Sequence, residues 1–298
     1  MSYIIQNIDL IQKNRIKSAI VNCNNEITLL SAKISSELNL IDPILIGNEQ
    51  KIIKICAQIK WDLNEVIIVD ANNEKESSKI ACQMASESKV ELLVKGHMHT
   101  DVLMGEYIKS SYSLRNKGEK LSHIWFMTIP NRREPLIITD GALNIKPNLQ
   151  TKKMILKNVI AFTNKIKNFD PFISILSATE EVLPQMESSV DAKDLMEWAL
   201  KEIDPSLKIM GPLAFDNSIS NHAAKMKGID NKVAGNANIL LVPNIETGNS
   251  LVKMLVNFMD ATAGGFVTGS NIPVVITSRS DSLDSRLSSI SNAVLSIQ

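Results

Sequence analysis

Cysteine is scarce in this chain of 298 residues, aromatic residues are scarcer than usual, and no formal charge is left over. Cys23, Cys56 and Cys82 are odd in number, widely spaced and set in apolar segments, with no Cys-x-x-Cys pair. They read as reduced, buried thiols, which excludes a disulfide framework and a thiolate metal site. No apolar run approaches the ~18 residues that a membrane span needs. Asp9, Lys13, Arg15 and Lys17 interrupt the apolar positions near the start, so no signal-peptide core forms, and a soluble, cytoplasmic protein is expected. Lys and Arg together number 32, as do Asp and Glu. That balance argues against nucleic acid or a membrane surface as partner, while leaving room for a local basic pocket facing an anionic substrate. Gly-x-Gly-x-x-Gly, Walker A, Gly-x-Ser-x-Gly and His-Glu-x-x-His sequences are all missing, so the common dinucleotide, P-loop, hydrolase-elbow and zincin chemistries have no fingerprint here.

What is present is an alternation of strand-like and helix-like segments in a chain that is 44% hydrophobic and 21% charged, ordinary values for a globular protein. The pattern predicts a helix over 17–38, strands at 43–47, 66–70 and 90–94, and helices over 48–59 and 74–88. A hairpin of 124–128 and 136–139 around Asn131-Arg-Arg-Glu-Pro135 breaks the rhythm. A helix over 148–168 follows, then strands at 172–176, 208–210, 238–242 and 265–267 and helices near 191–203, 217–226 and 246–261. Ser177-x-x-Glu180 has the spacing of a capping box and is expected to open a helix. Repeated strand–helix–strand order predicts an α/β fold with mostly parallel sheets covered by helices on both faces. No linker, repeat or charge block marks a boundary, so any division of the chain is made by strands passing between lobes.

Polar groups gather where these strands end. The final strand, within 271–276, stops at Thr277-Ser278-Arg279, and Asp281-Ser-Leu-Asp284 opens a helix. Ligands of α/β proteins bind at strand carboxyl ends, where helix N-termini converge, which makes this edge the candidate active site. Lys95-Gly96-His97-Met98-His99-Thr100-Asp101 is either a phosphate-binding turn, with Gly96 admitting a close ligand and Lys95 supplying charge, or a polar turn capped by Thr100 or Asp101. His97 and His99 have no third ligand at a recognisable spacing, so no metal site is expected. Asp140 and Asn144 bind substrate or satisfy their own loop through Asx-type hydrogen bonds. Asp216 caps a helix or faces a cleft. Gly248 and Asn249 lie inside a predicted helix that each disfavours by up to ~1 kcal/mol, which points to close packing or a site.

Taken in order, seven segments resemble one family: Lys95-Gly-x-x-His-Thr-Asp101, Ile138-Thr-Asp-Gly-Ala-Leu-Asn144, Leu176-Ser-Ala-Thr-Glu-Glu181, Gly211-Pro-Leu-Ala-x-Asp216, Val233-Ala-Gly-x-Ala237, Leu240-Leu-Val-Pro-Asn-Ile-Glu-x-Gly-Asn249 and Thr277-Ser-Arg-Ser-Asp-Ser282. The family is that of the phosphate acetyltransferases and phosphate butyryltransferases. Chain length and the Leu-Val-Pro-Asn-Ile-Glu form look more like its butyryl side. The resemblance implies two α/β/α lobes with an interlobe cleft, similar to the isocitrate and isopropylmalate dehydrogenases, with lobes formed by 1–113 plus 266–298 and by 114–265. It implies acyl transfer between acyl phosphate and coenzyme A without a covalent enzyme intermediate, in a homodimer or larger homo-oligomer. Coenzyme A, acyl phosphate and inorganic phosphate are then the partners, with coenzyme A a substrate and no cofactor or metal needed.

By position in the family, Ser278 hydrogen-bonds the coenzyme A sulfur and Arg279 binds the acyl phosphate. Lys95, His99, Thr100, Asp140, Asn144, Asp216 and Asn249 are the expected substrate-binding residues. Two departures stand out. The acetyl enzymes carry a proposed base, an Asp, seven residues after the Ser; this chain has Ser285 there, so Asp284 is the expected base, with Asp281 as the other candidate. Coenzyme A can also arrive as thiolate, because a thiol pKa near ~8.5 leaves a few per cent ionised at neutral pH. An Arg found in many members a few residues after the His is here replaced by Leu103-Met104, leaving Lys95, His99 or Arg115 to supply its charge. These departures keep open a catalytically silent acyl-coenzyme A-binding protein. A nicotinamide-dependent dehydrogenase of the shared fold is the third reading, opposed by the lack of a paired Arg cluster or an Asp-rich, metal-binding strand end.

Overall fold

The computed structural model describes residues 14–115, 118–278 and 281–297. Along the chain run β1 (Ile16–Val21), α1 (Glu26–Glu37), β2 (Ile41–Gly47), α2 (Glu49–Gln58), β3 (Ile67–Asp70), α3 (Glu74–Ser86), β4 (Leu92–Lys95) and α4 (Thr100–Tyr107). The hairpin β5 (Ser122–Thr128) and β6 (Leu136–Thr139) precedes α5 (Leu149–Thr163), β7 (Ile173–Leu176), α6 (Glu187–Glu202), β8 (Ile209–Leu213), α7 (Phe215–Ile219) and α8 (Asn221–Met226). The chain continues through β9 (Ile239–Leu241), α9 (Ile245–Phe258), β10 (Thr262–Thr268), β11 (Val274–Val275) and α10 (Leu283–Ile297).

Two compact units are formed, one by 1–119 with 264–298 and one by 120–263. In the first, the strand order is β3-β2-β1-β4-β11-β10. All pairs are parallel except β10 with β11. In the second, the order is β5-β6-β9-β7-β8, with only the β5–β6 hairpin antiparallel. Both units are therefore α/β with mostly parallel strands, as the alternation predicts.

Asparagine sets many of the helix starts. Asn25, Asn48, Asn73, Asn148 and Asn244 each adopt extended backbone and accept a backbone N–H three residues on, capping α1, α2, α3, α5 and α9. Each cap satisfies a donor that the first turn leaves without a partner, worth about 1 kcal/mol. Because these helices follow parallel strands, their N-termini gather at strand carboxyl ends.

The predicted helix over 17–38 is corrected: 16–21 is the central strand β1, and the helix begins only at Glu26. Ala19, Ile20 and Val21 are fully buried between β2 and β4, so burial on both faces erased the alternation that marks a half-exposed strand. The expected capping box at Ser177 and Glu180 is also corrected. Residues 177–186 form a loop through Pro184 and α6 starts at Glu187, while the Ser177 hydroxyl bonds that of Ser188 at 2.9 Å. Cys23, Cys56 and Cys82 are free and buried, as expected, and burial pushes all three thiols above their ordinary range. Among the described residues, no helix is long and apolar enough to cross a membrane.

Candidate active site

In the first unit the order 3-2-1-4 reverses direction of travel between β1 and β4, the kind of point where open α/β sheets place ligands. Beyond the end of β1, Asn22 donates to the His97 carbonyl at 2.6 Å, and Gly96 and His97 donate their backbone N–H groups to the carbonyls of Val21 and Asn22. A Cβ on Gly96 would lie 2.5 Å from the Val21 oxygen and 2.6 Å from that of Asn22, so this glycine serves a close approach of the chain to itself. The Lys95 side chain is buried and donates to the Met98 carbonyl at 3.0 Å, bracing the turn from inside.

His99 is the N-cap of α4 but makes no side-chain cap bond; instead its backbone N–H donates to Glu74 at 3.1 Å, and its ring Nδ1 lies 3.2 Å from the same carboxylate. Neither Thr100 nor Asp101 is therefore the cap; both belong to the exposed first turn, where Asp101 favours the helix dipole. Leu103 and Met104 are core residues, so neither position offers a cation.

β11 lies beside β4, which brings Thr277-Ser278 to the strand end next to Lys95. Ser278 is exposed, and its backbone N–H donates to the Asp281 carboxylate at 2.6 Å. Ser282 receives the Ser285 N–H at 3.2 Å, and Asp284 is exposed in the first turn of α10. Arg279 lies outside the described residues.

The residue that sequence reasoning missed is Arg286. Its guanidinium is almost wholly buried and donates to the Thr277 hydroxyl at 3.0 Å, the Ser278 carbonyl at 2.8 Å and the Asp281 carbonyl at 3.4 Å. Burial pulls it below its ordinary pKa, offset in part by the field of Asp281. A lone Arg in a serine-rich helix resembles a solvent-face residue. The signal against that is that α10 is buried on every side from Ser285 to Leu295.

In the second unit, Asp140 follows β6 and is buried. Its carboxylate accepts the N–H groups of Ala142 at 3.0 Å, Leu143 at 2.9 Å and Asn144 at 3.3 Å, and the Asn144 side-chain amide at 2.6 Å. Burial raises this carboxyl above its ordinary range, opposed by those bonds. Asn144 also donates to the Leu121 carbonyl at 2.9 Å, tying the loop to the start of β5. The Asp140 loop thus closes on itself by the Asx-type bonding that was one of its two readings.

Gly248 explains the costly glycine in α9: a Cβ there would stand 2.6 Å from Gly141 Cα, and one on Gly141 would stand 2.8 Å from the Gly248 carbonyl carbon. The Asp140 loop and α9 meet backbone to backbone. Gly248→Ala should cost about 1–3 kcal/mol of stability, measured by denaturant unfolding. An unchanged midpoint would mean that the contact is loose. Asn249 is exposed and reaches the Gly141 carbonyl at 3.5 Å. Asp216 is exposed in the first turn of α7, whose N-cap is Ala214, so Asp216 is not a cap. Glu180 pairs with Lys227 at 2.7 Å and receives the Asn217 amide at 3.0 Å, which lowers its pKa. No group of three or more His, Cys, Asp or Glu able to hold a metal ion occurs among the described residues.

Residues 73–294 match the family model described as "Phosphate acetyl/butaryl transferase". The phosphate acetyltransferase of Rhizobium meliloti is 40% identical over 91% of this chain and 85% of its own length. The phosphate butyryltransferase of Clostridium acetobutylicum is 32% identical over 94% of this chain and 92% of its own length. A branched-chain phosphotransacylase from Enterococcus faecalis V583 superposes with a TM-score of 0.81 at 30% identity, covering 95% of this chain and 99% of the other. The chain belongs to the phosphate acetyl/butyryl transferase family.

Proposed function

We propose that this phosphate acyltransferase moves a short-chain acyl group, acetyl or butyryl, reversibly between acyl phosphate and coenzyme A by direct thiolate attack in a ternary complex. The observation that carries the reading is the strand end at Thr277-Ser278, where an exposed serine is locked by Asp281 from one side and Arg286 from the other. The reaction needs a deprotonated thiol, stabilisation of a tetrahedral oxyanion, and donors for the departing phosphate.

Ser278 directs its hydroxyl to the coenzyme A sulfur, Arg279 takes the acyl phosphate, and Asp284 receives the thiol proton. Thr100 and the first turn of α4 favour the phosphate dianion through their amide donors, with His99 at the N-cap position beside them and Lys95 holding that turn in shape. In the second unit, Asp140 and Asn144 shape the loop after β6, and Asn249 and Asp216 offer exposed polar groups to substrate. The enzyme works in the cytoplasm as a homodimer or larger homo-oligomer, without cofactor or metal.

Purified protein incubated with coenzyme A and, separately, acetyl, propionyl and butyryl phosphate should form thioester and release phosphate. The ratio of kcat/KM values then names the acyl group. Coenzyme A binding with no turnover on any of the three would leave only a silent binder.

A further inference from the structure

We propose that Arg286 is a positioning residue whose buried charge, delivered through the backbone of Ser278, biases the bound coenzyme A thiol toward thiolate. The inference rests on the functional reading of Ser278 given above. Its ground is the unusual setting of the guanidinium. Three bonds hold it, to the Thr277 hydroxyl and to the carbonyls of Ser278 and Asp281, and all three acceptors are neutral.

No described carboxylate forms an ion pair with Arg286, and its residue is only 4% exposed. Burying a charge without an ionic partner is expensive, and the cost is tolerated where a function uses the charge. The Asp281 carboxylate, which would be its natural partner, is instead turned to the Ser278 N–H at 2.6 Å. Ser278 is thus gripped at both ends of its backbone, and a positive charge that cannot move lies one hydrogen bond behind it.

The neighbouring charges do not duplicate this role. On its own segment are Asp281, engaged as described, and the exposed Asp284. α10 packs against α1, β4 and β11. α1 carries Glu26, exposed at its start, and Lys33 with Glu37, which pair with each other. β4 carries Lys95, bonded to the Met98 carbonyl, and β11 carries no charge.

In the step itself, the S–H bond breaks, its proton passes to Asp284 and on to solvent, and the sulfur lone pair forms the S–C bond to the acyl carbon. The C–O bond to phosphate then breaks with its electron pair leaving on phosphate. A fixed positive charge near a thiolate stabilises it at the effective dielectric usual for protein sites, and the Asp281 carboxylate on the Ser278 N–H opposes part of that effect, so removing Arg286 leaves the opposing charge alone.

The test compares pH profiles of kcat, measured with both substrates saturating, for the wild type, Arg286→Lys and Arg286→Gln. The lysine variant keeps the charge and loses the fork, so its kcat should fall while its acid limb stays in place. The glutamine variant should move the acid limb up by about one pH unit or more, a loss of about tenfold at the foot of the profile. Profiles that superpose, with all three enzymes active, would reduce Arg286 to a purely structural clamp and overturn the inference.

A second measurement needs no variant. Calorimetric titration of the wild type in buffers of different ionisation enthalpy should find protons released on binding coenzyme A and none on binding desulfo-coenzyme A; equal release would overturn the inference. Failure of the functional reading looks different: the wild type would then turn over no acyl phosphate at any pH.

Discussion

Arg279→Ala is expected to lower kcat/KM by about a thousandfold or more while the protein still folds. The reason lies in what the transferred group demands. As the thiolate adds to the carbonyl carbon, charge grows on the carbonyl oxygen and then on the leaving phosphate. A guanidinium placed there donates bidentate, charge-assisted hydrogen bonds, which are about twice as strong as neutral ones. Arg279 directly follows Ser278 in the sequence. Arg279→Lys should recover part of the loss, because a point charge remains while the planar fork is gone. Steady-state kinetics on a variant with an unchanged melting temperature decide the matter. Near-normal kcat in folded Arg279→Ala would remove the residue from the reaction and take the assigned roles of its neighbours with it.

The second large effect is on stability. Asp140→Ala should destabilise the second unit by about 2 kcal/mol or more, because it removes the buried carboxylate on which the N–H groups of Ala142, Leu143 and Asn144 converge. Asp140→Asn should do less damage, since one amide oxygen still accepts while the amide nitrogen faces donors. The loop also carries Gly141, which meets Gly248 backbone to backbone, so its collapse would displace the start of α9. Urea unfolding with an unchanged slope and a lower midpoint is the expected signature. A change within 0.5 kcal/mol or so, the range of ordinary surface substitutions, would show that the loop holds its shape without the carboxylate.

The α/β class could be read from the chain because apolar strand runs and segments of helical period alternate with little interruption. β1 could not, since its residues are buried on both faces and a short apolar run carries no period that separates strand from helix. Ser177 misled for another reason: capping-box spacing is a local signal, and Pro184 with the Ser177–Ser188 bond redirected the chain before a helix could start.

At the site, Ser278 and the carboxylates after it stood out because polar residues ending an apolar strand are conspicuous. The Lys95 turn left two readings open, and its lysine proves to bond the turn's own Met98 carbonyl while Gly96 packs against the carbonyls of Val21 and Asn22. Arg286 stayed hidden because burial of a charge is a property of packing: nothing in Leu-Asp-Ser-Arg-Leu-Ser-Ser-Ile distinguishes a solvated arginine from one enclosed on all sides.

The division of the first unit into two stretches of chain bears on the order of events during synthesis. Residues 120–263 are continuous, so that unit can fold as soon as it leaves the ribosome. The first unit must wait. Its strands β1 to β4 emerge early, but β11, the neighbour of β4, and the enclosed helix α10 come only after the whole of the second unit. Until then β4 presents an unpaired apolar edge, a hazard for association with other nascent chains. β11 and α10 are therefore at once the cover that ends this exposure and the elements that flank Ser278, so the candidate site is assembled only when folding of the early segment is sealed.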